Sequence, residues 1–142
     1  MSNFSYKKVM TSYLVSIDPG EKNIGVSYFD IISKQYLGSQ LLSMNYDEFK
    51  VWTSLLQPRA IVVEQQKPQC TYARLVYFLE GFCYARGIYF YKRRLMFGYN
   101  LTYKQRKQRS VDLFLERTNG IHPNIKLDDI ADSYNLGYNF LF

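Results

Sequence analysis

The chain has 142 residues, of which 47% are hydrophobic and 21% are charged, and its formal net charge is +6. This length and balance predict one globular domain over residues 1–142, with residues 1–12 as a loosely ordered arm. No apolar run approaches the ~20 residues of a membrane span, and the N-terminus lacks the apolar core of a secretory signal. We therefore expect a soluble, intracellular protein, and the positive charge favours a polyanionic partner.

The first strong signal is a carboxylate at the end of a buried strand. Residues 13–17 are nearly all apolar, Asp18 follows them, and Pro19 and Gly20 break the strand before a second one runs to Asp30. A carboxylate in such a place is costly unless a charged group satisfies it, and a divalent metal ion is the partner we expect. The alternative is an aspartate that only initiates the turn.

A second acid ends a later strand. A third strand near Gln35–Ser43 completes an antiparallel meander, and a short helix is expected over Asp47–Leu56. The next segment, Arg59–Glu64, reads as a buried strand, and Glu64 stands at its end as Asp18 does on the first strand.

The longest helical pattern is Gln69–Gly87, and it is apolar over more than one face. Tyr77, Phe78 and Tyr84 lie largely off its main apolar stripe. A helix that is hydrophobic nearly all round is usually buried on both sides. Either a second copy of the chain covers the outer side, giving a homodimer, or the helix is fully enclosed within one domain.

A fifth strand, Ile88–Arg93, leads into the most basic part of the chain, and a helix from Tyr103 to about Arg117 follows. The basic residues in this part, with no acid among them, are Lys92, Arg93, Arg94, Lys104, Arg106, Lys107 and Arg109. Uncompensated positive charge with interleaved tyrosines favours binding to a phosphate backbone. The alternative is a merely solvated basic surface.

The last segment, Ile125–Phe142, predicts a helix with carboxylates near its start. Asp129 and Asp132 are three residues apart and can share one helix face, while Asp128 is placed to cap the helix. Clustered acids on a helix are common, but here they join two acids at strand ends.

The order of elements is three antiparallel strands, then helix, strand, helix, strand and helices. This order predicts an α/β domain of the RNase H-like type, with a five-stranded mixed sheet flanked by helices. The acids would then gather on one patch: Asp18, Glu64, Asp129 and Asp132. Such carboxylates repel one another unless cations lie between them, and hard oxygen ligands select Mg²⁺ or Mn²⁺. Two such ions ~4 Å apart can support phosphodiester hydrolysis.

Four segments in order resemble the RuvC-like Holliday junction resolvases, most closely the poxvirus and fungal mitochondrial branch. They are Asp18-Pro19-Gly20 with Glu21-Lys22-Asn23, then Val63-Glu64-Gln65-Gln66, then Tyr103-Lys104-Gln105-Arg106-Lys107, and Lys126-Leu127-Asp128-Asp129-Ile130-Ala131-Asp132-Ser133. Together they span nearly the whole chain.

This resemblance implies a homodimer that nicks two opposed strands of a four-way junction, with two Mg²⁺ ions on Asp18, Glu64, Asp129 and Asp132. Lys104, Arg106 and Lys107 would hold the DNA backbone or the developing charge, as would Lys22. We assign the catalytic share to Lys107, which lies beside Arg106 in the basic segment.

Two other functions remain open. YqgF-like proteins, which act on RNA ends, share the start seen here from Asp18 to Val26. The second is a non-catalytic nucleic-acid-binding module on the same fold, although the complete acid set argues against lost catalysis. An actin-like ATPase would need a second lobe that 142 residues cannot supply. The composition, rich in Tyr, Asn and Lys, favours a large DNA virus as the source.

Overall fold

A computed structural model describes residues 12–20, 22–43, 45–65, 72–95, 100–118 and 127–142. Residues 1–11, and with them almost all of the expected N-terminal arm, lie outside the described part. The elements, in chain order, are β1 (Tyr13–Pro19), β2 (Asn23–Asp30), β3 (Tyr36–Ser43), α1 (Tyr46–Ser54), β4 (Ala60–Glu64), α2 (Ala73–Arg86), β5 (Tyr89–Arg93), α3 (Tyr103–Thr118) and α4 (Leu127–Leu141). Each predicted strand and helix is confirmed, with ends that differ by a few residues.

The strands form one mixed sheet in the order β3-β2-β1-β4-β5. β1, β2 and β3 pair antiparallel, which confirms the predicted meander. β4 lies parallel to β1, and β5 lies parallel to β4. The carboxyl ends of β1, β4 and β5 therefore meet at one edge of the sheet, where β1 and β4 bring Asp18 and Glu64.

Alternation along the strands divides the core into two layers. Val15 and Ile17 of β1 face the layer that holds Phe49 of α1 and Leu79 of α2. The even-numbered Leu14 of β1, like Val62 of β4, faces the opposite layer, built with α3 and α4. Because side chains alternate across a strand, Asp18 and Glu64 share the face of these even-numbered residues. Both acids therefore lie on the side of the sheet that α4 covers.

Helix α4 lies close to the sheet because small residues line the contact. Ala131 is fully buried, and Gly137 contributes a second close approach. A Cβ at Gly137 would collide with the ring of Phe29, which leaves no room for a larger residue there. The Ser27 and Ser133 hydroxyls, one from β2 and one from α4, are hydrogen-bonded at 2.7 Å. The position of α4 on the sheet is thus fixed by close packing and by a buried hydrogen bond.

A second contact fixes α3 against α4. The buried Asn135 amide donates to the Ser110 carbonyl oxygen at 2.9 Å and lies 3.0 Å from the Ser110 Oγ. The Arg117 guanidinium donates to the Asn135 Oδ1 at 3.2 Å and stacks on the Tyr138 ring at 3.7 Å. Since Asn135 has both its donor and its acceptor used, the relative position of the two helices is specific.

Helix α2 is buried on one side, so of the two alternatives the fully enclosed helix is wrong. Leu75, Leu79 and Cys83 are fully buried, whereas Tyr77 and Tyr84 are 60% and 91% exposed. Phe78 was expected on the outer side but packs against the core, with its ring 5.9 Å from that of Phe49. The ring reaches inward because α1 covers that edge of the helix. Residues 69–71 of the predicted helix lie outside the described part.

The helix starts agree only in part with the expected caps. Asn45 caps α1, since its Oδ1 accepts from the backbone N–H of Asp47 at 2.9 Å. Asp128 does not cap α4, because the helix already begins at Leu127 and includes Asp128 in its first turn. An acid in the first turn still interacts favourably with the helix dipole. In the ranges that the structure describes, no helix is long and apolar enough to cross a bilayer.

Candidate active site

Two carboxylates stand side by side at the ends of the central parallel strands. The register pairs Ile17 of β1 with Val63 of β4, so the next residues, Asp18 and Glu64, lie level with each other. Asp18 is only 8% exposed, and its carboxyl is hydrogen-bonded to that of Glu64. This confirms that the two strand-end acids meet, as their positions in the sequence predicted.

Helix α4 brings two more carboxylates to the same place. Asp129 and Asp132 lie three residues apart in its first two turns, and Asp132 is 6% exposed. The start of α4 reaches this edge of the sheet because Gly25, the partner of Asp18 in the β1–β2 register, leaves room for the backbone of Asp129. The acids thus come from three elements that are far apart in the sequence.

The four carboxylates border one cavity of about 610 Å³. Its lining residues are Asp18, Pro19, Gly20, Lys22, Asn23, Glu64, Tyr72, Leu95, Tyr103, Arg106, Lys107, Asp129 and Asp132. The acids and the basic groups lie on the same concave surface, so a bound phosphodiester would meet both at once.

Lys107 of α3 extends to the acids and forms an ion pair with Asp132, its Nζ donating to the Asp132 Oδ2. The Lys107 side chain is 29% exposed. Burial lowers the pKa of Lys107, but the hydrogen bond and charge of Asp132, with the charge of Asp18, raise it overall. Lys107 is therefore fully charged at neutral pH and holds one oxygen of Asp132.

Burial and the neighbouring carboxylates together shift the protonation equilibrium of Asp18. Burial raises the pKa of the Asp18 carboxyl well above its usual value, and the hydrogen bond and charge of Glu64 raise it further. The charge of Asp132 acts in the same direction, and Lys107 opposes it only in part. A cation bound among these acids would favour their ionised forms, so cation binding and proton release are linked at this place.

The cavity has the donor chemistry of a hard divalent cation. Carboxylate oxygens are the ligands that Mg²⁺ and Mn²⁺ prefer, and Asp18, Glu64, Asp129 and Asp132 border this one cavity. Among the residues that the structure describes, no three acidic, His or Cys side chains converge closely enough to enclose an ion as they stand. Instead, the Asp18 carboxyl is hydrogen-bonded to Glu64, and the Asp132 carboxylate forms an ion pair with Lys107. The residues fit such an ion in chemistry and in location.

The predicted basic residues divide into three groups. Lys22, Arg106 and Lys107 line the cavity. Lys104 and Arg109 are exposed on α3 beyond the cavity lining.

The third group lies at the end of β5. Lys92 was expected to have no acidic partner, but it has one. The Lys92 ammonium is 3.6 Å from the Glu80 carboxylate of α2, an acid too distant in the sequence to be anticipated. The Arg93 guanidinium stacks over the rings of Tyr91 and Phe140. Arg94 is exposed.

Sequence reasoning missed part of the cavity wall. Tyr72 and Leu95 line the cavity, but neither stands in a motif, and both lie outside regular elements. Gly25, near the start of the second predicted strand, was not identified as part of the site. Its position directly opposite Asp18 in the predicted hairpin was the signal that could have identified it.

The fold and the site together define a class of protein. A mixed sheet in this order, with carboxylates at the ends of adjacent parallel strands, is the RNase H-like fold of the RuvC type. The Thermus thermophilus RuvC structure superimposes with a TM-score of 0.58 over 89% of this chain and 91% of its own, at 14% sequence identity. At that identity the likeness establishes the fold, and it confirms the fold predicted from the sequence.

Family membership is more specific. The model of the poxvirus A22 protein family matches residues 12–142, so the chain belongs to that family. The Holliday junction resolvase of fowlpox virus (strain NVSL) is 25% identical in a match that covers 90% of this chain and 91% of the relative. Resolvase OPG149 of vaccinia virus (strain Western Reserve) is 28% identical in a match that covers 99% of this chain and 81% of the relative.

A solved structure of a relative also matches. The crystal structure of the fowlpox virus resolvase in complex with its substrate Holliday junction DNA superimposes with a TM-score of 0.77. It is 25% identical and covers 91% of this chain and 96% of the matched chain.

Proposed function

We propose that this protein is a Holliday junction resolvase, an endonuclease that cuts four-way DNA junctions with the help of divalent metal ions. The single observation that carries the proposal is the carboxylate cavity, in which acids from three elements face the basic residues of α3. The relatives named Holliday junction resolvases, and the fowlpox structure with junction DNA, support the choice of substrate. Their viral origin supports a virus-encoded protein that acts inside the infected cell.

The residues proposed to hold two Mg²⁺ ions, with Mn²⁺ as a substitute, are Asp18, Glu64, Asp129 and Asp132. Ions bound there supply Lewis-acid activation of water and charge stabilisation at the departing oxygen. The chain's own contribution is to place the ligands. Asp18 and Glu64 are fixed by the β1–β4 register, and the other two acids by the packing of α4.

Lys107 is proposed to stabilise the negative charge that develops on the phosphate. Its ammonium reaches the rim of the carboxylate group from α3, and it is held there by the α3–α4 contact at Asn135. A fixed cation in a site of low water content stabilises developing charge more than an exposed one does. The exposed Lys104 and Arg109 are proposed to bind the DNA backbone away from the scissile bond.

The remaining basic residues extend the proposed DNA surface. Lys22 and Arg106 border the cavity and would contact phosphates next to the cut. Arg93, the last residue of β5, is the register partner of Glu64, and Arg94 follows it in the chain. Lys92 is the weakest member of the set, because it pairs with Glu80.

A homodimer is proposed because two opposed strands of a junction must both be cut, and one cavity can cut only one strand at a time. The proposed contact is the outer side of α2, where Tyr77 and Tyr84 are exposed. Exposed tyrosines supply contact area at a low cost in side-chain entropy.

Substrate selectivity tests the proposal and separates it from an RNA-processing nuclease on the same fold. The purified protein should be incubated in Mg²⁺ with a synthetic four-way junction, a duplex, a single strand and an RNA of matched sequence. We expect the junction to be cut much faster than the other three. Preferential cutting of the RNA would favour the YqgF-like alternative, and the absence of cutting on any substrate would favour a non-catalytic module.

A further inference from the structure

We propose that Gly25 is a positioning residue for the metal site, because it is what allows the first turn of α4 to carry its carboxylates up to Asp18. The proposal rests on the metal-dependent function proposed above. It concerns a residue with no side chain and no chemistry of its own, which acts only through the residues that it admits.

Gly25 is required for space and not for backbone freedom. It lies within β2, two residues after the first residue Asn23, in extended pairing with Asp18 on one side and Leu41 on the other. The glycines with positive φ in the described part of the chain are Gly38 and Gly87, so Gly25 has a backbone conformation that any residue can adopt. A glycine inside a strand without such a conformation indicates close approach by another part of the chain.

The part that approaches is the backbone at the start of α4. A Cβ built on Gly25 would overlap the carbonyl oxygen of Asp129 and would come within 2.8 Å of its carbonyl carbon. It would also lie 3.5 Å from the backbone nitrogen of Ile130. These are helix backbone atoms, which cannot rotate away as a side chain can. A larger residue at position 25 must therefore displace the first turn of α4 from the sheet.

Displacement of that turn would act directly on the carboxylate cavity. Asp129 and Asp132 both lie at this end of α4, whereas Asp18 and Glu64 are held by the sheet. The hydrogen bond between the Ser133 and Ser27 hydroxyls opposes movement of the whole of α4 away from the sheet. Its first turn would tilt outward, and the distances between the two pairs of acids would increase.

Gly137 provides a matched control on the same helix. A Cβ there would meet the ring of Phe29 and would lie 3.0 Å from the Cβ of Ser16, more than two turns from Asp129 and more than one turn from Asp132. Gly25→Ala and Gly137→Ala therefore both disturb the packing of α4 on the sheet. They differ in which end of the helix is displaced.

The experiment measures Mn²⁺ affinity by calorimetry, melting temperature by circular dichroism, and junction cleavage under single-turnover conditions. For Gly25→Ala we expect Mn²⁺ affinity to fall by about 10- to 100-fold, as for other residues that orient metal ligands. Cleavage should fall by about 100-fold, as for a displacement of ~1 Å at a reacting centre. Gly137→Ala should lower the melting temperature and leave Mn²⁺ affinity unchanged.

A compensating variant tests the direction of the displacement. Asp129→Glu lengthens the side chain that the tilt carries away, so it should restore Mn²⁺ affinity when combined with Gly25→Ala. Alone, Asp129→Glu should lower Mn²⁺ affinity by about tenfold, because a carboxylate matched to the close approach is replaced by a longer one. If Gly25→Ala does not fold, the Mn²⁺ affinity of Asp129→Glu alone is the result that can overturn the positioning role.

The outcomes separate this proposal from the function on which it rests. Unchanged Mn²⁺ affinity in Gly25→Ala, or in Asp129→Glu alone if Gly25→Ala does not fold, would overturn the positioning role. Equal losses of Mn²⁺ affinity in Gly25→Ala and Gly137→Ala would also overturn the positioning role, since the cause would then be general destabilisation. A wild-type protein that neither binds Mn²⁺ nor cuts junctions would overturn the proposed function itself.

Discussion

Lys107 of α3 and Asp132 of α4 form an ion pair at the edge of the carboxylate cavity. The pair joins the basic segment of the chain to its last acidic motif, and its two residues are 25 positions apart in the sequence. It places one fixed positive charge directly beside the acids, while the other cations on α3 remain exposed. On the proposed function, this relationship separates Lys107, proposed to act on the reacting phosphate, from the exposed cations proposed to bind DNA.

The first prediction follows from that division. Lys107→Ala should lower the cleavage rate at saturating junction by about 100-fold or more, because a cation that stabilises transition-state charge is lost from a partly buried site. Single-turnover kinetics measure this rate directly. An unchanged rate would show that Lys107 contributes to DNA binding and not to the cleavage step.

Lys104→Ala is the matched control, since Lys104 lies on the same helix but is exposed outside the cavity lining. We expect weaker binding to any DNA, a salt slope reduced by about one unit, and a normal rate at saturation. A slow rate for Lys104→Ala would contradict the division between the two lysines.

A second prediction concerns Asp18. Asp18→Asn should abolish cleavage and spare junction binding, because it removes a proposed metal ligand without touching the basic surface. Gel-shift assays and cleavage assays in Mg²⁺ measure the two properties. Cleavage by the variant at more than a few per cent of the wild-type rate would rule out the assigned role.

The same variant should stabilise the protein in EDTA. The folded-state pKa of Asp18 is raised, so its favourable contribution is complete below the unfolded pKa of about 4 and is lost as the pH rises through the folded pKa. Asparagine has no charge to repel Glu64 and Asp132. The melting temperature of Asp18→Asn should therefore exceed that of wild type by an amount that grows with pH. A constant difference across the pH range would show that ionisation of the buried Asp18 is not its cause.

A third prediction concerns Ser16, which lies under α4 on the central strand. Its hydroxyl is completely buried and has no hydrogen-bond partner in the described part of the protein. Ser16→Ala should raise the free energy of unfolding by about 1 kcal/mol, because the variant no longer buries an unpaired polar group. Urea denaturation measures the change, and a loss of stability would indicate that the hydroxyl has a partner in solution.

A fourth prediction tests the proposed dimer. Tyr84→Glu should weaken association, because Tyr84 is 91% exposed on the outer side of α2. Light scattering over a range of concentrations measures the effect. Ile32→Glu is the control, since Ile32 is 83% exposed in the β2–β3 turn, away from α2. A wild-type protein that is monomeric at micromolar concentration would exclude this dimer in solution.

Much of the fold could be predicted because its signals are local. The apolar runs, the turn at Pro19-Gly20 and the acids that end β1 and β4 are all visible in the sequence. The parallel pairing of those strands then followed from the order of elements, and with it the meeting of Asp18 and Glu64.

The rest depends on how separate elements face one another, which no local pattern records. The inward position of Phe78 depends on where α1 lies, and the pairing of Lys92 with Glu80 depends on the contact between β5 and α2. The ion pair of Lys107 depends on the angle between α3 and α4. The place of Gly25 opposite Asp18 could be deduced from the predicted hairpin, but the close approach of the α4 backbone to Gly25 could not.

Strand-resolved cleavage of a synthetic four-way junction by the wild-type protein tests the central claim most directly. Each strand is labelled in turn, and products are compared in Mg²⁺ and in EDTA. We predict nicks at symmetrical positions in two opposed strands in Mg²⁺, and none in EDTA. Cleavage that persists in EDTA, or that is equally fast on a linear duplex of the same sequence, would contradict the claim.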